Sequence, residues 1–369
     1  MALSKIRSDS MADAAIQSNR NFVINGAMRV AQRGTSVTGL GTNSSGTYHT
    51  VDRFLVFANN TAGRFTMSQS TVTDLPGFAN ALKLDCTTAD TSIAADEYIL
   101  LGTRFEAQNL QSLKKGTSDA EPVTISFYVK GNANATYVLE IFDNDNSRTI
   151  NKTFPVTSSW NRVSITYPGD TAGSGLGDDN EIGLQLVFWL HAGSNSTSGS
   201  LQTSWGAYDQ TKRAAGISSF VDSTDRTLEI TGLQMEIGEV ATPFEHDANI
   251  ETTLRKCQRY YYQVGYDGDN NYFGAGGVYS TTAAMVMLPL PVEMRAAPTS
   301  LYQSGTASHY GSWGNGATQV CSAVPAIRGS SSKTTCAIDL TFSSLNSATG
   351  TYVYRIVDAS GYLGVHAEL

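Results

Sequence analysis

The sequence predicts an all-β protein: a two-sheet jelly-roll sandwich, then a short helix, then a smaller C-terminal β-sandwich domain. Three observations favour this fold. Short runs with a two-residue hydrophobic period recur along the chain, and clusters of Gly, Ser, Thr and Asn separate them. Only one stretch has a helical period. The 369 residues are enough for two or three domains of ordinary size.

We expect four segments along the chain. Residues 1–20 are polar and hold too few apolar side chains to build a core. They are either a loose terminus or a segment ordered by a partner or by copies of itself. Residues 21–246 form the jelly roll, residues 247–262 a connecting helix, and residues 263–369 the second β-domain.

The first residues of the first domain show only weak sequence signals for strands. Residues 21–34 contain a turn at Asn25-Gly26 between two short apolar runs, and residues 35–50 are expected to be a polar loop. Strands follow from residue 51, and the clearest series begins at Pro122, where side chains alternate between the two faces. Expected strands cover 51–57, 64–69, 81–86, 122–130, 137–142, 148–154, 160–167 and 182–190, and residues 98–110 are expected to be a strand followed by a turn.

The longest of these strands predicts which side chains face the core. Its inward stripe is Ile182, Leu184, Leu186, Phe188 and Leu190, and its other face carries Gln185, Val187, Trp189 and His191.

Residues 228–246 are expected to close the sandwich. Apolar residues alternate up to Ile230, Gly232 breaks the phase, and the alternation resumes at Leu233. A one-residue phase slip at a glycine indicates a β-bulge. Because proline cannot donate to a strand ladder, Pro243 should end the strand.

One helix is predicted, over 248–262, where Leu254, Cys257 and Tyr261 share a face. The second β-domain follows, and Pro289 should end one of its strands or place that strand at an edge. Its expected strands lie at 272–280, 283–291, 301–303, 334–342 and 351–357.

Charge and hydropathy exclude several partners. The net charge is −8 and no Lys/Arg block occurs, which disfavours nucleic acid and anionic lipid. No segment approaches the about 20 apolar residues of a membrane span, so we expect no membrane insertion. The first residues lack the apolar core of a signal peptide, and we expect no ordinary secretion.

Cysteine and acidic residues give no metal signature. The four cysteines are expected to be free thiols made in a reducing compartment, although Cys321 and Cys336 could pair. The loops at 143–147 and 267–271 begin like calcium loops but lack the glycine and glutamate that such loops need. We therefore interpret both as Asx-rich turns, and we expect no metal and no cofactor.

Catalytic motifs are absent from the sequence. It contains no GxSxG elbow, no HExxH, no P-loop and no GxGxxG after a strand. We therefore expect no enzymatic activity and name no catalytic residue.

Aromatic residues beside amides and carboxylates are the candidates for contact with a sugar. Trp189 and His191 share a strand with core residues, so packing is an equal explanation for them. The candidates for ligand contact are Trp205, Tyr208, His309, Tyr310 and Trp313.

Two stretches resemble a known family. NFVINGAMRVAQRGTS followed by YHTVDRFLVF resembles the opening of tailed-bacteriophage tail-fibre and receptor-binding proteins with a carbohydrate-binding-module-like jelly roll. ITGLQMEIGEVATPFEHDANIETTLRKCQRYYYQ resembles the close of that domain. PVTISFYVKG, LPLPVEMRAAPT and the final GVHAEL also fit, and the first residues are similar to short virion-attachment leaders.

The resemblance implies a galactose-binding-like jelly roll in a homotrimer on the virion tail, made in the host bacterial cytoplasm. It implies attachment to other tail proteins through residues 1–20, and recognition of host surface polysaccharide or lipopolysaccharide, with residues 263–369 as a distal knob. Two alternatives stay open. One is a purely structural tail or head appendage or adaptor without a host ligand, and the other is a polysaccharide depolymerase.

Overall fold

A computed structural model describes residues 19–266, 271–314, 317–345 and 350–369. The chain divides into two compact units, the first comprising the chain up to Ile250 together with Leu369, and the second covering Glu251–Glu368. The expected N-terminal attachment segment and the acidic turn after Tyr266 lie almost wholly outside the described residues.

Over residues 19–250, the first unit contains thirteen strands, one four-residue helix and two 3-10 helices. The strands are β1 (Ser36–Leu40), β2 (Ser44–Tyr48), β3 (Leu55–Asn59), β4 (Arg64–Thr71), β5 (Asn80–Thr88), β6 (Tyr98–Glu106), β7 (Val123–Gly131), β8 (Ala135–Asp143), β9 (Arg148–Val156), β10 (Asn161–Tyr167), β11 (Ile182–Ala192), β12 (Gly206–Ala207) and β13 (Thr227–Ile237). The helices are the 3-10 helix Ala107–Leu113, α1 (Ser194–Thr197) and the 3-10 helix Gln210–Lys212.

These strands form two antiparallel sheets. Sheet A has the order β1-β4-β5-β13-β7-β10, and sheet B has the order β12-β9-β8-β11-β6-β3-β2. The sheets face each other across one core, because Phe127 of sheet A meets Phe154 and Phe188 of sheet B edge-on, at centroid distances of 5.2 and 5.3 Å. Four of the five residues of the predicted inward stripe of β11 lie in this core: Leu184, Leu186, Phe188 and Leu190.

The closing strand behaves as its sequence predicts. The pairing of β13 with β7 shifts register between Thr231 and Gln234, and Gly232 between them has φ +61°. This is a β-bulge, and the strand ends at Ile237, before Pro243.

Two strands lie where a loop was expected. β1 pairs with β4, and β2 pairs with β3, at one edge of each sheet. Both are polar and mostly exposed, so they lack the hydrophobic alternation that marks a half-buried strand. Residues 21–34, in contrast, hold turns and no strand.

The second unit begins with a helix shorter than expected. Helix α2 (Ile250–Gln258) stops before Tyr261, which starts a strand. The strands are β14 (Tyr261–Tyr266), β15 (Asn271–Val278), β16 (Ala283–Pro289), β17 (Ser300–Gln303), β18 (Tyr310–Gly314), β19 (Ala317–Val320), β20 (Ala326–Ile327), β21 (Thr335–Thr341), β22 (Gly350–Ile356) and β23 (Tyr362–His366). A 3-10 helix, Ala307–His309, precedes β18.

These strands also form two antiparallel sheets. Sheet C has the order β14-β23-β17, and sheet D has the order β19-β18-β22-β15-β16-β21-β20. Leu363 and Val365 of sheet C share a core with Ile338 and Tyr354 of sheet D. The fold class is therefore as predicted, a jelly-roll sandwich followed by a short helix and a smaller C-terminal β-domain.

Other sequence expectations can be compared with this fold. β16 ends at Pro289, as the proline predicts. All four cysteines are buried and free, so Cys321 and Cys336 are not bridged. Within the described residues, no helix combines the length and the apolar character needed to cross a membrane.

Candidate functional site

A groove of about 390 Å³ opens on the face of sheet B that points away from the core. Its floor comes from β6, β8 and β11, and its rim comes from β3 and from the segment after α1. The lining residues are Phe57, Tyr98, Leu100, Phe142, Gln185, Val187, Trp189, Tyr208, Gln210 and Arg213.

The alternation of side chains along β11 determines which of its residues form the floor of the groove. Gln185, Val187 and Trp189 occupy the outward positions of β11, which is the face that the sequence predicts for them. Gly102 of β6 pairs with Val187 and adds no side chain there. A methyl group at Gly102 would lie 3.3 Å from Leu186 O and 3.5 Å from the ring of Phe57, so the glycine allows this ring to pack closely against β6.

The rim carries the most accessible aromatic ring of the groove. Tyr208 is 43% exposed, and its ring meets Phe142 edge-on at 5.9 Å. The Tyr208 hydroxyl donates to Gln210 Oε1, which fixes the ring's position at the rim. Tyr98 lines the opposite side, with its ring 6.3 Å from that of Trp189.

A buried ion pair supports this rim. Arg213 Nε donates to Glu140 Oε2 at 2.7 Å, and Nη2 donates to the other oxygen. The guanidinium lies 4.7 Å from the Trp189 ring and 5.0 Å from the Tyr208 ring. Burial alone would lower the pKa of Arg213, but the Glu140 carboxylate raises it above its ordinary value.

A second polar group lies at the other end of the floor. Arg104 Nε donates to Gln185 Oε1 at 3.0 Å, and its guanidinium lies 5.1 Å from the centroid of the Phe57 ring. The Gln185 amide in turn donates to Asn144 Oδ1. The lining of the groove thus combines apolar rings with the amides of Gln185 and Gln210 and the guanidinium of Arg213.

The predicted pair Trp205 and Tyr208 is not brought together. Tyr208 lies at the groove rim, whereas Trp205 lines a separate cavity of about 20 Å³ and donates from Nε1 to Pro168 O at 2.8 Å. That cavity is too small for a sugar, so the structure gives Trp205 a packing role.

His309, Tyr310 and Trp313 have different environments in the second unit. Tyr310 is fully buried and donates to Tyr362 O at 2.6 Å, so its ring presents no surface to a ligand. His309 contacts Ser304 Oγ through Nδ1 at 2.9 Å. Of the three, Trp313 alone has a well-exposed ring, at 40%, and it lies on strand β18.

Sequence reasoning missed Tyr98, Phe142 and Arg213. Tyr98 and Phe142 lie on the strands that flank β11, on its outward face. The signal that could have found them is the register of β6 and β8 against β11. Arg213 lies in a connecting segment, where no periodic pattern exists.

One cluster has the donor set of a metal site. Asp90, Glu97 and His191 are buried, and one potential ligand atom of each lies within 4.8 Å of the others. Protein partners already hold these atoms, since His191 contacts Glu97 at 3.2 Å and Ser219 at 2.8 Å. Burial lowers the pKa of His191, against the opposing effect of the two carboxylates. The cluster is thus arranged as a hydrogen-bond network.

The acidic turn at 143–147 contains a side-chain cation. The Lys115 ammonium is ion-paired with Asp143, and it lies 3.0 Å from Asp170 Oδ2. Asp143 also accepts from the backbone N of Asn146 at 3.0 Å, which is an Asx-turn bond. The Asp143 carboxylate is therefore bound by a lysine side chain and by the backbone of its own turn.

No protein-family model and no curated protein matches this sequence. Among solved structures, the chain is similar to a family 11 carbohydrate-binding module from Clostridium thermocellum, with 10% identity, 56% and 97% of the two chains covered and a TM-score of 0.28. It is similar to the carbohydrate-binding module TmCBM61 in complex with β-1,4-galactotriose, with 10% identity, 60% and 100% coverage and a TM-score of 0.28. It is also similar to a xylan-binding domain from Paenibacillus barcinonensis, with 12% identity, 56% and 94% coverage and a TM-score of 0.25. Because such TM-scores are too low to carry an inference, the sandwich assignment rests on strand order and core contacts.

Proposed function

We propose that this chain is a non-enzymatic glycan-binding protein and that the groove on sheet B is a binding site. One observation carries the proposal: the exposed Tyr208 ring stands beside the amide of Gln210 and the guanidinium of Arg213, over an apolar floor. A pyranose has C–H faces that stack on rings and hydroxyl edges that bond to amides and guanidinium groups. The volume of about 390 Å³ lies within the range of small-ligand sites.

The lining supports binding over hydrolysis. Glycoside hydrolysis ordinarily needs two carboxyl groups facing the scissile bond. The described residues that line the groove include no Asp or Glu. Glu140, behind the lining, is fully buried and bound to Arg213 through both oxygens.

We further propose that the chain serves as a bacteriophage tail-fibre or receptor-binding protein and recognises host surface polysaccharide or lipopolysaccharide. The sequence resemblance at both ends of the first domain supports this role. We propose a homotrimer attached to the tail through residues 1–20, with residues 263–369 distal. Three linked copies of a weak site gain avidity by about 10²–10⁴ without any new contact.

The groove is tested with Tyr208→Ala on an array of bacterial surface glycans, followed by calorimetry on the best-bound glycan. Losing one stacking ring should weaken binding about tenfold, equivalent to about 1.4 kcal/mol. The control is Tyr279→Ala, which removes a similarly exposed tyrosine from the other unit and should leave affinity unchanged. A blank array, or equal affinity for Tyr208→Ala and the unaltered chain, would contradict glycan binding at this groove.

The virion role needs a separate experiment. Antibodies raised against the purified chain should label the tail in electron micrographs of virions and should block adsorption to host cells. Tail labelling combined with unimpaired adsorption would instead support the structural appendage.

A further inference from the structure

The outer face of sheet D carries an aromatic and apolar surface in the second unit. Tyr272 on β15 is 51% exposed, and Trp313 on β18 is 40% exposed. Val353 lies between their strands on β22, pairs with Trp313, and is also exposed. These residues share one face because cross-strand partners point to the same side of a sheet.

Arg355 lies between the two rings. It follows Val353 by two residues on β22, so its side chain points to the same outer face. Tyr272 is its cross-strand partner, and the guanidinium lies 5.8 Å from the Tyr272 centroid and 5.0 Å from the Trp313 centroid. Its partner on β18 is Gly311, where an added Cβ would lie 2.7 Å from Gln319 O, so β18 and β19 pack closely at this position.

Within the part of the chain that the structure describes, Arg355 has no acidic partner for its charge. Nη2 donates to Thr318 Oγ1, and Nε has no hydrogen-bond partner. Within the described ranges, no carboxylate forms an ion pair with this residue, although it is only 8% exposed. A nearly buried cation without a counterion is costly, and an anion supplied from outside would remove that cost.

Arg328, on the same face, provides a comparison, because it also stacks on an aromatic ring but has a carboxylate partner. Its guanidinium also lies over a tyrosine, Tyr279, at 5.2 Å. It is 44% exposed and forms an ion pair with Asp339 at 2.9 Å. Among the described residues, Arg328 thus has a carboxylate partner and Arg355 has none.

We infer that Tyr272, Trp313 and Arg355 form a second binding site, which takes a carboxylated sugar of the uronic acid type. The guanidinium matches a carboxylate in shape and charge. The two exposed rings offer apolar surfaces to the pyranose that carries the carboxylate. A net charge of −8 disfavours a bulk polyanion such as nucleic acid, whereas a single carboxylate between two rings is recognised locally. This site lies in the other unit from the groove and extends the proposed function to acidic glycans.

Calorimetry on the full chain tests the site, with digalacturonate as the probe and neutral digalactose as its uncharged counterpart. The unaltered chain should bind digalacturonate in preference to digalactose, and added salt should weaken that binding. Arg355→Gln should weaken digalacturonate binding by about tenfold or more. Trp313→Ala should weaken digalacturonate binding by a similar factor. Because Trp313 is exposed, this substitution should leave the fold intact.

Arg328→Gln is the matched control, because it removes an arginine that stacks on a tyrosine but already has a counterion. It should bind digalacturonate as the unaltered chain does. Tyr208→Ala should also leave this binding unchanged, so failure of the groove proposal and failure of this one are distinguishable.

Three results would overturn the inference. The first is unchanged digalacturonate binding in both Arg355→Gln and Trp313→Ala. The second is inorganic phosphate binding as tightly as digalacturonate, which would indicate a bare anion site. The third is an oligomer that Trp313→Ala converts to monomers in sedimentation velocity, which would show that a second copy of the chain covers this face.

Discussion

At the scale of single residues, Glu140 and Arg213 are the pair on which the groove depends. Glu140 is fully buried, and the Arg213 side chain is 13% exposed. Trp189 Nε1 donates to the same carboxylate at 3.3 Å, which ties the floor to the rim. The pair therefore fixes the ring of Tyr208 indirectly, because the guanidinium lies against that ring.

Glu140→Gln should destabilise the first unit by about 3–5 kcal/mol, because it leaves Arg213 buried without its counterion. Denaturant unfolding followed by far-ultraviolet circular dichroism measures the change. Asp222→Asn is the control, since it breaks an exposed ion pair with Arg226 and should cost under about 1 kcal/mol. Equal effects of the two substitutions would show that the buried pair does not stabilise the sandwich.

His191 gives a prediction about pH. Burial lowers its pKa below the ordinary value of 6.5, with Glu97 and Asp90 opposing. In the window just below pH 6.5, the unfolded chain therefore binds more protons than the folded chain, and stability should fall as the pH is lowered. His191→Gln should make this acid-side decline shallower in unfolding experiments across that window. His309→Gln, in the second unit, is the control. If stability declines with the same slope in His191→Gln as in the unaltered chain, the prediction is contradicted.

Residue roles were only partly predictable from sequence. Tyr208 could be named because it is an aromatic residue in a polar, glycine-rich segment. Tyr310 stands in a similar setting, yet its ring fills the core of the second unit. The ring of Tyr310 faces the core because of the face of β18 that this position occupies, and that face depends on pairing with β22, which is distant in sequence.

At the scale of elements, β13 shows what a local pattern can determine. Gly232 adopts a left-handed conformation that an L side chain rarely takes, and the phase slip around it is visible in the sequence. Edge strands β1 and β2 could not be predicted in this way, because backbone pairing specifies them and one face of each is not buried against a core. The early end of α2 has a similar cause, because Tyr261 pairs with His366 at the far end of the chain.

Gly232→Ala should destabilise the first unit by about 1–2 kcal/mol, from the left-handed backbone alone. The added Cβ would also lie 2.8 Å from Phe78 Cζ and 3.0 Å from Tyr128 Cδ2, so both rings must move. Gly175→Ala is the control, because its Cβ would meet a single atom at 3.5 Å and its φ is ordinary. Thermal unfolding compares the two, and an equally stable Gly232→Ala would mean that the bulge does not constrain this strand.

At the scale of the whole molecule, each unit has its own core. The core of the first unit draws on both sheets A and B, and that of the second on sheets C and D. Fold class was predictable because short alternating strands dominate the sequence. The groove was not, because its lining comes from β3, β6, β8, β11 and the segment after α1, whose arrangement depends on sheet order. Strand order is a long-range property that local periodicity does not contain.

Because each core is self-contained, residues 1–250 expressed alone should fold and keep glycan binding that depends on Tyr208. All ten lining residues of the groove, and the Glu140 carboxylate behind it, lie before Ile250. The fragment should unfold in one cooperative transition, as single domains ordinarily do. Its affinity for the best-bound array glycan should match that of the full chain, and Tyr208→Ala should lower both affinities by the same factor.

Digalacturonate is the control probe for the fragment. Because the fragment lacks Arg355, it should not bind digalacturonate. A fragment that folds cooperatively yet binds no glycan would place recognition in the second unit and refute the groove.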